Sequence, residues 1–379
     1  MTKRKPRNRD STLPAYALAA MAMTAAGQEP RKHHLVPSFY LERWAVGGHI
    51  QLTDLKAGRN TYEQVPSKAV RDSDFYRIDS QSVGGRSPVE WESWLSSVEG
   101  RAALVFAQID SEGLKSMTLG QHRDLCYFLA VQITRSRSHR LNGRATATQT
   151  VMGLYRFGGD QFLKQILRDA GLQATRELVD TMRQQMLEFY DDPWKFPMSR
   201  SNELHSSGQI ADALLPIIGS RNMALYRTDR PLLTTDEPIT EVYEDQSRHY
   251  LEGGLEGAPF LFFPFDPHHL LVLVREDLEV RLKPGTELTW RETLDANRVI
   301  AGNADRLVIS EPGKMLAQKL YVPDHAGPTQ RQEYKAPDGK STLIRFWAPK
   351  RWHGDPLAPE RAVPRLWGNP SAGGPRLSA

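Results

Sequence analysis

Two adjacent histidines, His33 and His34, open the stretch KHHLVPSFYLERW, and no other segment sets ionisable and apolar chemistry so close together. Imidazole titrates near neutrality, so either residue could move a proton or ligate a metal. Val36, Phe39, Tyr40 and Leu41 beside them predict partial burial. Successive side chains of an extended segment take opposite faces. One histidine is therefore expected at a site and its neighbour in a packing or capping role, with His34 the choice for the site. The competing reading makes both structural, their ring nitrogens bonded to backbone carbonyls.

Three further groups could join a histidine. Glu99 has Leu95, Ala102, Ala103 and Phe106 as helical neighbours, so its carboxylate needs a cation, a metal or a raised pKa. Glu92, seven residues earlier, reads as a solvated flank. Arg135 continues a face that runs through Leu125, Phe128 and Gln132 towards His139. A guanidinium there predicts a planar contact, either with an internal carboxylate such as Glu99 or with an anionic ligand. Arg137 and Arg140 read as more exposed. Asp236, in PLLTTDEPIT, should sit at a strand end in a turn fixed by Pro238, where a carboxylate either faces a site or caps its own turn. His268 and His269 open a strand and read as surface or turn residues.

The elements that must position these groups are of two kinds. HIQLTDLKAGRNTYEQVPSKAV predicts a hairpin after the double histidine. Ser87, Pro88 and Glu90 then form a capping-box pattern. Trp91, Trp94, Leu95, Val98, Ala102, Val105, Phe106 and Ile109 follow at helical spacing to about Asp110. Further helices fit Gly120 to Arg140, Thr148 to Tyr190 with a break at Gly171, and Asn202 to Ile218. After Gly219 the pattern changes to short runs such as PFLFFPF and LLVLVRE, which read as strands. A helix over ETLDANRVIAGNA and a closing strand at RLVIS complete it. The expected class is α+β, with a helical, bundle-like half at about 87–219 packed on a mainly antiparallel sheet from the N-terminal hairpin and the C-terminal strands.

Charge divides the chain. The whole carries 49 Lys and Arg against 45 Asp and Glu, with a pI near 9.0. Residues 1–32 carry a net +5 and residues 321–379 a net +4, so the stretch between them is acidic at −5. Basic ends can hold anionic partners loosely, which is weak support for nucleic-acid binding by the core. Three segments are expected: a basic, Ala-rich extension over 1–30, a single α+β domain over 31–320, and a Pro-, Gly- and Arg-rich tail over 321–379, both ends poorly ordered. AYALAAMAMTAA imitates a signal peptide imperfectly, since Asp10 and Pro14 interrupt the approach and alanine replaces leucine. No run reaches the ~18 apolar residues of a membrane span. The single Cys126 excludes an intramolecular disulfide and a four-thiolate zinc site and fits a reducing compartment, so a cytoplasmic protein is expected.

There is no Walker loop, dinucleotide fingerprint, His-Glu-x-x-His helix or Gly-x-Ser-x-Gly elbow. Nucleotide-driven motors, Rossmann dehydrogenases and serine hydrolases of the usual kind are disfavoured.

In order along the chain, HHLVPSFYL, WESWLSSVEG, QITR (132–135), TTDEP (234–238), FPFDP and the segment from Asn297 to Ser310 resemble one bacterial family, domain of unknown function 4238. The resemblance spans roughly 31–315. Ser38 stands where glutamine is usual in it, removing a long amide beside the histidines, and Thr235 stands where serine is usual. The family supplies a fold and a map of positions but no reaction. The residues lead to one expectation: His33 or His34, Glu99, Arg135 and Asp236 converge on a site that hydrolyses an anionic substrate, phosphodiesters first. A divalent metal is compatible with it and not required. The alternative is a non-catalytic module in which the same cluster recognises a ligand or nucleic acid, or joins two subdomains. Oligomeric state is not encoded in any motif.

Overall fold

The computed structural model describes residues 14–78, 87–192, 195, 198–247, 254–280, 283–323, 330–335, 342–347 and 350–367. The chain opens with α1 (Ala15–Ala25), then β1 (Lys32–His34), the single turn α2 (Ser38–Leu41), the hairpin β2 (Ile50–Asp54) and β3 (Asn60–Gln64), and β4 (Arg71–Ser73). Five helices follow: α3 (Glu90–Glu112), α4 (Leu119–Thr134), α5 (Arg137–Asp169), α6 (Arg176–Asp191) and α7 (Arg200–Gly219). The remainder is β5 (Asn222–Thr228), β6 (Thr234–Thr235), β7 (Thr240–Val242), α8 (Gly254–Gly257), β8 (Phe260–Asp266), β9 (His269–Val274), β10 (Glu287–Leu288), α9 (Trp290–Asn303), β11 (Leu307–Ser310), α10 (Leu316–Lys319), β12 (Gln330–Lys335) and β13 (Thr342–Trp347).

The fold is α+β, and its strands are shared among several sheets rather than one. The N-terminal hairpin does join C-terminal strands: β3-β2-β11-β6 form an antiparallel sheet. A second sheet runs β10-β5-β9-β8-β7, antiparallel except where β10 meets β5. β1 pairs with β4 alone, placing His33 opposite Asp72 and His34 opposite Arg71. The apolar half of KHHLVPSFYLERW fastens these parts together. Tyr40 and Trp44 are fully buried; Tyr40 stacks on Phe263 with centroids 5.1 Å apart and lies edge-on to Phe106 of α3. Its hydroxyl donates to the Pro264 carbonyl at 2.7 Å, and the Trp44 indole N–H donates to the Leu232 carbonyl at 3.0 Å. Buried polar tips with acceptors let large rings fill the core without a desolvation penalty.

Several expectations need correction. The residue capping α3 is Val89, without a side-chain hydrogen bond of its own; Ser87 accepts from the Val89 amide at 3.3 Å instead of closing a capping box, and its hydroxyl donates to the Ala20 carbonyl at 3.0 Å. True capping boxes form at Thr118/Gln121 before α4 and Thr289/Glu292 before α9. The helix expected to run from Gly120 to Arg140 is two, because Ser136 adopts an extended conformation and caps α5 through the His139 amide. The predicted break at Gly171 is present, with φ +72°.

Within the segments expected to be poorly ordered, 1–30 and 321–379, some of the described residues pack against the rest of the chain. α1 buries Ala17 and Ala20 and packs on α3, since small side chains allow close approach. Residues 1–13 lie outside the described set. In 350–367, Trp352, Ala362, Val363 and Leu366 are buried, and Arg351 donates to the carbonyls of Ala304, Pro323 and Asp305. No periodic face announces that segment, because isolated side chains and the guanidinium groups of Arg351, Arg361 and Arg365 hold it. Among the described residues no helix is long and apolar enough to cross a membrane.

Candidate functional site

Alternation in β1 separates the two histidines: His33 is buried and His34 only half so. His33 is held at both ring nitrogens. The Tyr76 amide donates to Nδ1 at 2.7 Å, which leaves the proton on Nε2, 3.0 Å from the Pro30 carbonyl. Burial pushes its pKa down, and the ring stacks on Tyr76. This imidazole is neutral and fixed in one tautomer, a supporting role.

His34 is different. Its Nε2 lies 2.9 Å from the Ser67 carbonyl and 3.0 Å from Nε of Arg71. A protonated Nε2 donates to the carbonyl, whereas a bare Nε2 accepts from the guanidinium, so the two contacts belong to different tautomers. Burial lowers the pKa of this histidine too, opposed by the Ser67 carbonyl and reinforced by Arg71. Its proton therefore has two alternative arrangements within one geometry.

Behind His34 stands an ion pair. Arg135, at the end of α4, is 4% exposed as a residue and donates from Nη1 to Glu99 Oε1 at 2.6 Å. Its Nε donates to the Tyr76 hydroxyl at 3.1 Å, and Nη2 donates to the His34 carbonyl. One guanidinium thus ties α3, α4, β1 and Tyr76, three residues beyond β4, which its planar fork can do and an ammonium cannot. All three of its nitrogens are engaged. Arg135 therefore has no nitrogen free for a ligand, whereas Arg71 is exposed.

The group that sequence reasoning misplaced is Glu92. Instead of a solvated flank it is half-buried, and its Oε2 is buried without a hydrogen-bond partner among the described residues. Burial pushes its carboxyl up to about 7; Arg135 and Arg71 oppose the rise and Glu99 adds to it. Seven residues and two helical turns put Glu92 and Glu99 on the same side of α3. Leu95, three residues beyond Glu92, was the available sign of an apolar setting. Arg71 and Tyr76 gave none, because only the pairing of β4 with β1 brings them in.

Asp236 does not join this cluster: among the described residues it shares no hydrogen-bond partner with Glu99, Arg135 or His34. It is 3% exposed and accepts from the backbone amides of Asp305, Arg306 and Leu307 at 3.1, 2.9 and 3.1 Å. Burial, with Glu237 and Asp305 nearby, pushes its carboxyl up to about 7 while the amides favour the carboxylate. Its neighbour Glu237 accepts from the Ser138 amide at 3.0 Å, in the first turn of α5. The TTDEP turn therefore anchors the α9–β11 connection and caps a helix. His139 is also outside the cluster's bonding, and burial lowers its pKa to about 4. Arg140, expected to be exposed, lies over the Phe75 ring at 3.4 Å and faces Glu203. His269 contacts Asp266 at 2.8 Å in the β8–β9 turn, in line with the turn role read for it. Among the described residues no group of three or more His, Cys, Asp or Glu side chains is arranged to hold a metal ion.

Against known proteins, residues 32–314 match a family described as a protein of unknown function (DUF4238), about three quarters of the chain. No curated protein and no solved structure matches.

Proposed function

Since the chain belongs to the DUF4238 family, whose description assigns no activity, we propose a function from its own residues: hydrolysis of an anionic, phosphodiester-type substrate by acid–base catalysis at Glu92 and His34. The observation that carries this reading is the buried Oε2 of Glu92, without a hydrogen-bond partner among the described residues, on a carboxyl pushed up to about 7. A carboxyl with that pKa is available as a general acid at neutral pH, and a lowered histidine pKa keeps His34 neutral and able to accept a proton. Water attacks phosphorus and passes its proton to His34. The ester P–O bond breaks, and the leaving oxygen takes its proton from Glu92. Arg71 meets the phosphate charge from the exposed side. Glu99, Arg135, Tyr76 and His33 act as positioning residues.

One observation favours a second reading. The saturated Arg135 is a sufficient brace between α3, α4 and β1 without any substrate, as in a non-catalytic binding module. The two separate on purified protein with single-stranded RNA, DNA and bis(p-nitrophenyl) phosphate, with and without divalent metal. Wild type is compared with His34→Ala, Glu92→Gln and Asp236→Ala. Removal of a proton-transfer group lowers the rate by roughly 100-fold or more. Equal rates in wild type and in the first two variants would sink the catalytic reading.

A further inference from the structure

A cleft of about 250 Å³ lies where α1 and the start of α3 meet α4 and α7. Its walls are aromatic: Trp91 and Trp94 of α3, Tyr127 of α4 and Tyr16 of α1, with the carboxylates of Glu90 and Asp212 among its lining. The two indoles are tilted at 44° with centroids 4.5 Å apart, and Tyr127 stands edge-on to Trp94 at 6.2 Å. The Tyr127 hydroxyl donates to Asp212 at 3.0 Å. Burial, with Asp212 adding to it, pushes this phenol up to about 12, so it stays neutral.

Gly208 of α7 completes the wall by having no side chain. A Cβ there would stand 3.1 Å from Cη2 of Trp91, so the helix backbone comes up against the indole edge. The cleft is thus shaped by close packing around its rings.

We propose that this cleft binds a quaternary-ammonium head group. Aromatic faces carry negative potential and attract a cation set against them. Asp212, exposed at the cleft, adds a carboxylate that favours a cation over an anion. Small inorganic cations are strongly hydrated and gain little from aromatic walls, whereas a methylated ammonium is weakly hydrated and presents methyl groups to the rings while keeping its charge. The cleft is independent of the acid–base cluster, although Trp91 and Glu92 leave the same turn of α3.

The test uses the full chain, tryptophan fluorescence and calorimetry, with choline, its uncharged carbon analogue 3,3-dimethylbutan-1-ol, and sodium chloride at matched ionic strength. Choline is expected to give a saturable signal, with the uncharged analogue binding about tenfold more weakly or worse. Trp94→Ala should abolish the signal, and Asp212→Asn should weaken binding several-fold. Asp212 is exposed, so its variant carries the test if Trp94→Ala fails to fold. Equal binding of choline and the uncharged analogue, no saturable signal with choline, or wild-type affinity in Asp212→Asn would each overturn the proposal.

Discussion

Glu92 and Glu99 lie two turns apart on α3, and among the described residues Arg135 pairs with only one of them: Nη1 donates to Glu99 Oε1 at 2.6 Å, while Oε2 of Glu92 is buried with no hydrogen-bond partner there. Two carboxyl groups of the same chemistry are thus driven apart by their surroundings. The paired one anchors a guanidinium; the unpaired one is held near neutrality by burial, with Glu99 adding to the rise.

Stability should depend on pH through Glu92. Its folded pKa, about 7, lies above the ordinary 4.5, so the folded state binds the extra proton between those values. The favourable contribution is complete below pH 4.5 and is lost as pH rises through 7. Glu92→Gln removes this dependence. Urea unfolding should find the variant little changed from wild type at pH 5 and more stable by on the order of 2 kcal/mol at pH 8.5. A difference independent of pH would contradict the raised pKa.

Arg135 should be costly to remove because Glu99, the Tyr76 hydroxyl and the His34 carbonyl all lose their donor at once. Arg135→Met is expected to destabilise by about 3–5 kcal/mol. Arg135→Lys keeps the charge but not the fork and should fall between. If the pair is as coupled as its geometry implies, Arg135→Met/Glu99→Gln costs less than the two single changes added together. Additivity in that cycle would remove the brace.

Asp236 should matter for folding and not for turnover. Asp236→Ala leaves the amides of Asp305, Arg306 and Leu307 without their carboxylate, a loss of about 3 kcal/mol. Thermal unfolding reports that loss, and activity per folded molecule should match wild type. A folded Asp236→Ala protein lacking activity would return this residue to the reacting centre.

The C-terminal segment should contribute to stability through Trp352. Gly302 of α9 has this indole against its backbone, and a Cβ there would fall 2.0 Å from Nε1. The same N–H donates to the Arg298 carbonyl at 3.2 Å. Gly302→Val is expected to cost about 1–3 kcal/mol through overpacking, readable as a lowered urea midpoint. Proteolysis between residues 323 and 350 should become faster in the variant. An unchanged midpoint would mean the segment does not bear on α9.

Local pattern made much of the frame legible. The apolar stripe of α3, the β2–β3 hairpin and the break at Gly171 each follow from residues near one another in sequence. The Glu99–Arg135 contact was within reach of the same reasoning, because each side chain lies on the apolar face of its own helix. Failures came where the decisive partner is remote. Ser87 accepts from the Val89 amide rather than from the third amide of a capping box, and its proton goes to the Ala20 carbonyl of α1. Glu92 is sequestered among groups that include Arg71 and Arg135, and Asp236 is claimed by amides about seventy positions away. Tertiary hydrogen bonds of this kind leave no periodicity to read.

The most direct test of the acid–base account is a carbon-13 NMR titration of protein labelled at glutamate carboxyls, wild type beside Glu92→Gln. One resonance is expected to titrate with a midpoint near 7 and to be missing from the variant. A wild-type spectrum in which every glutamate titrates in the ordinary range near 4.5 would contradict it.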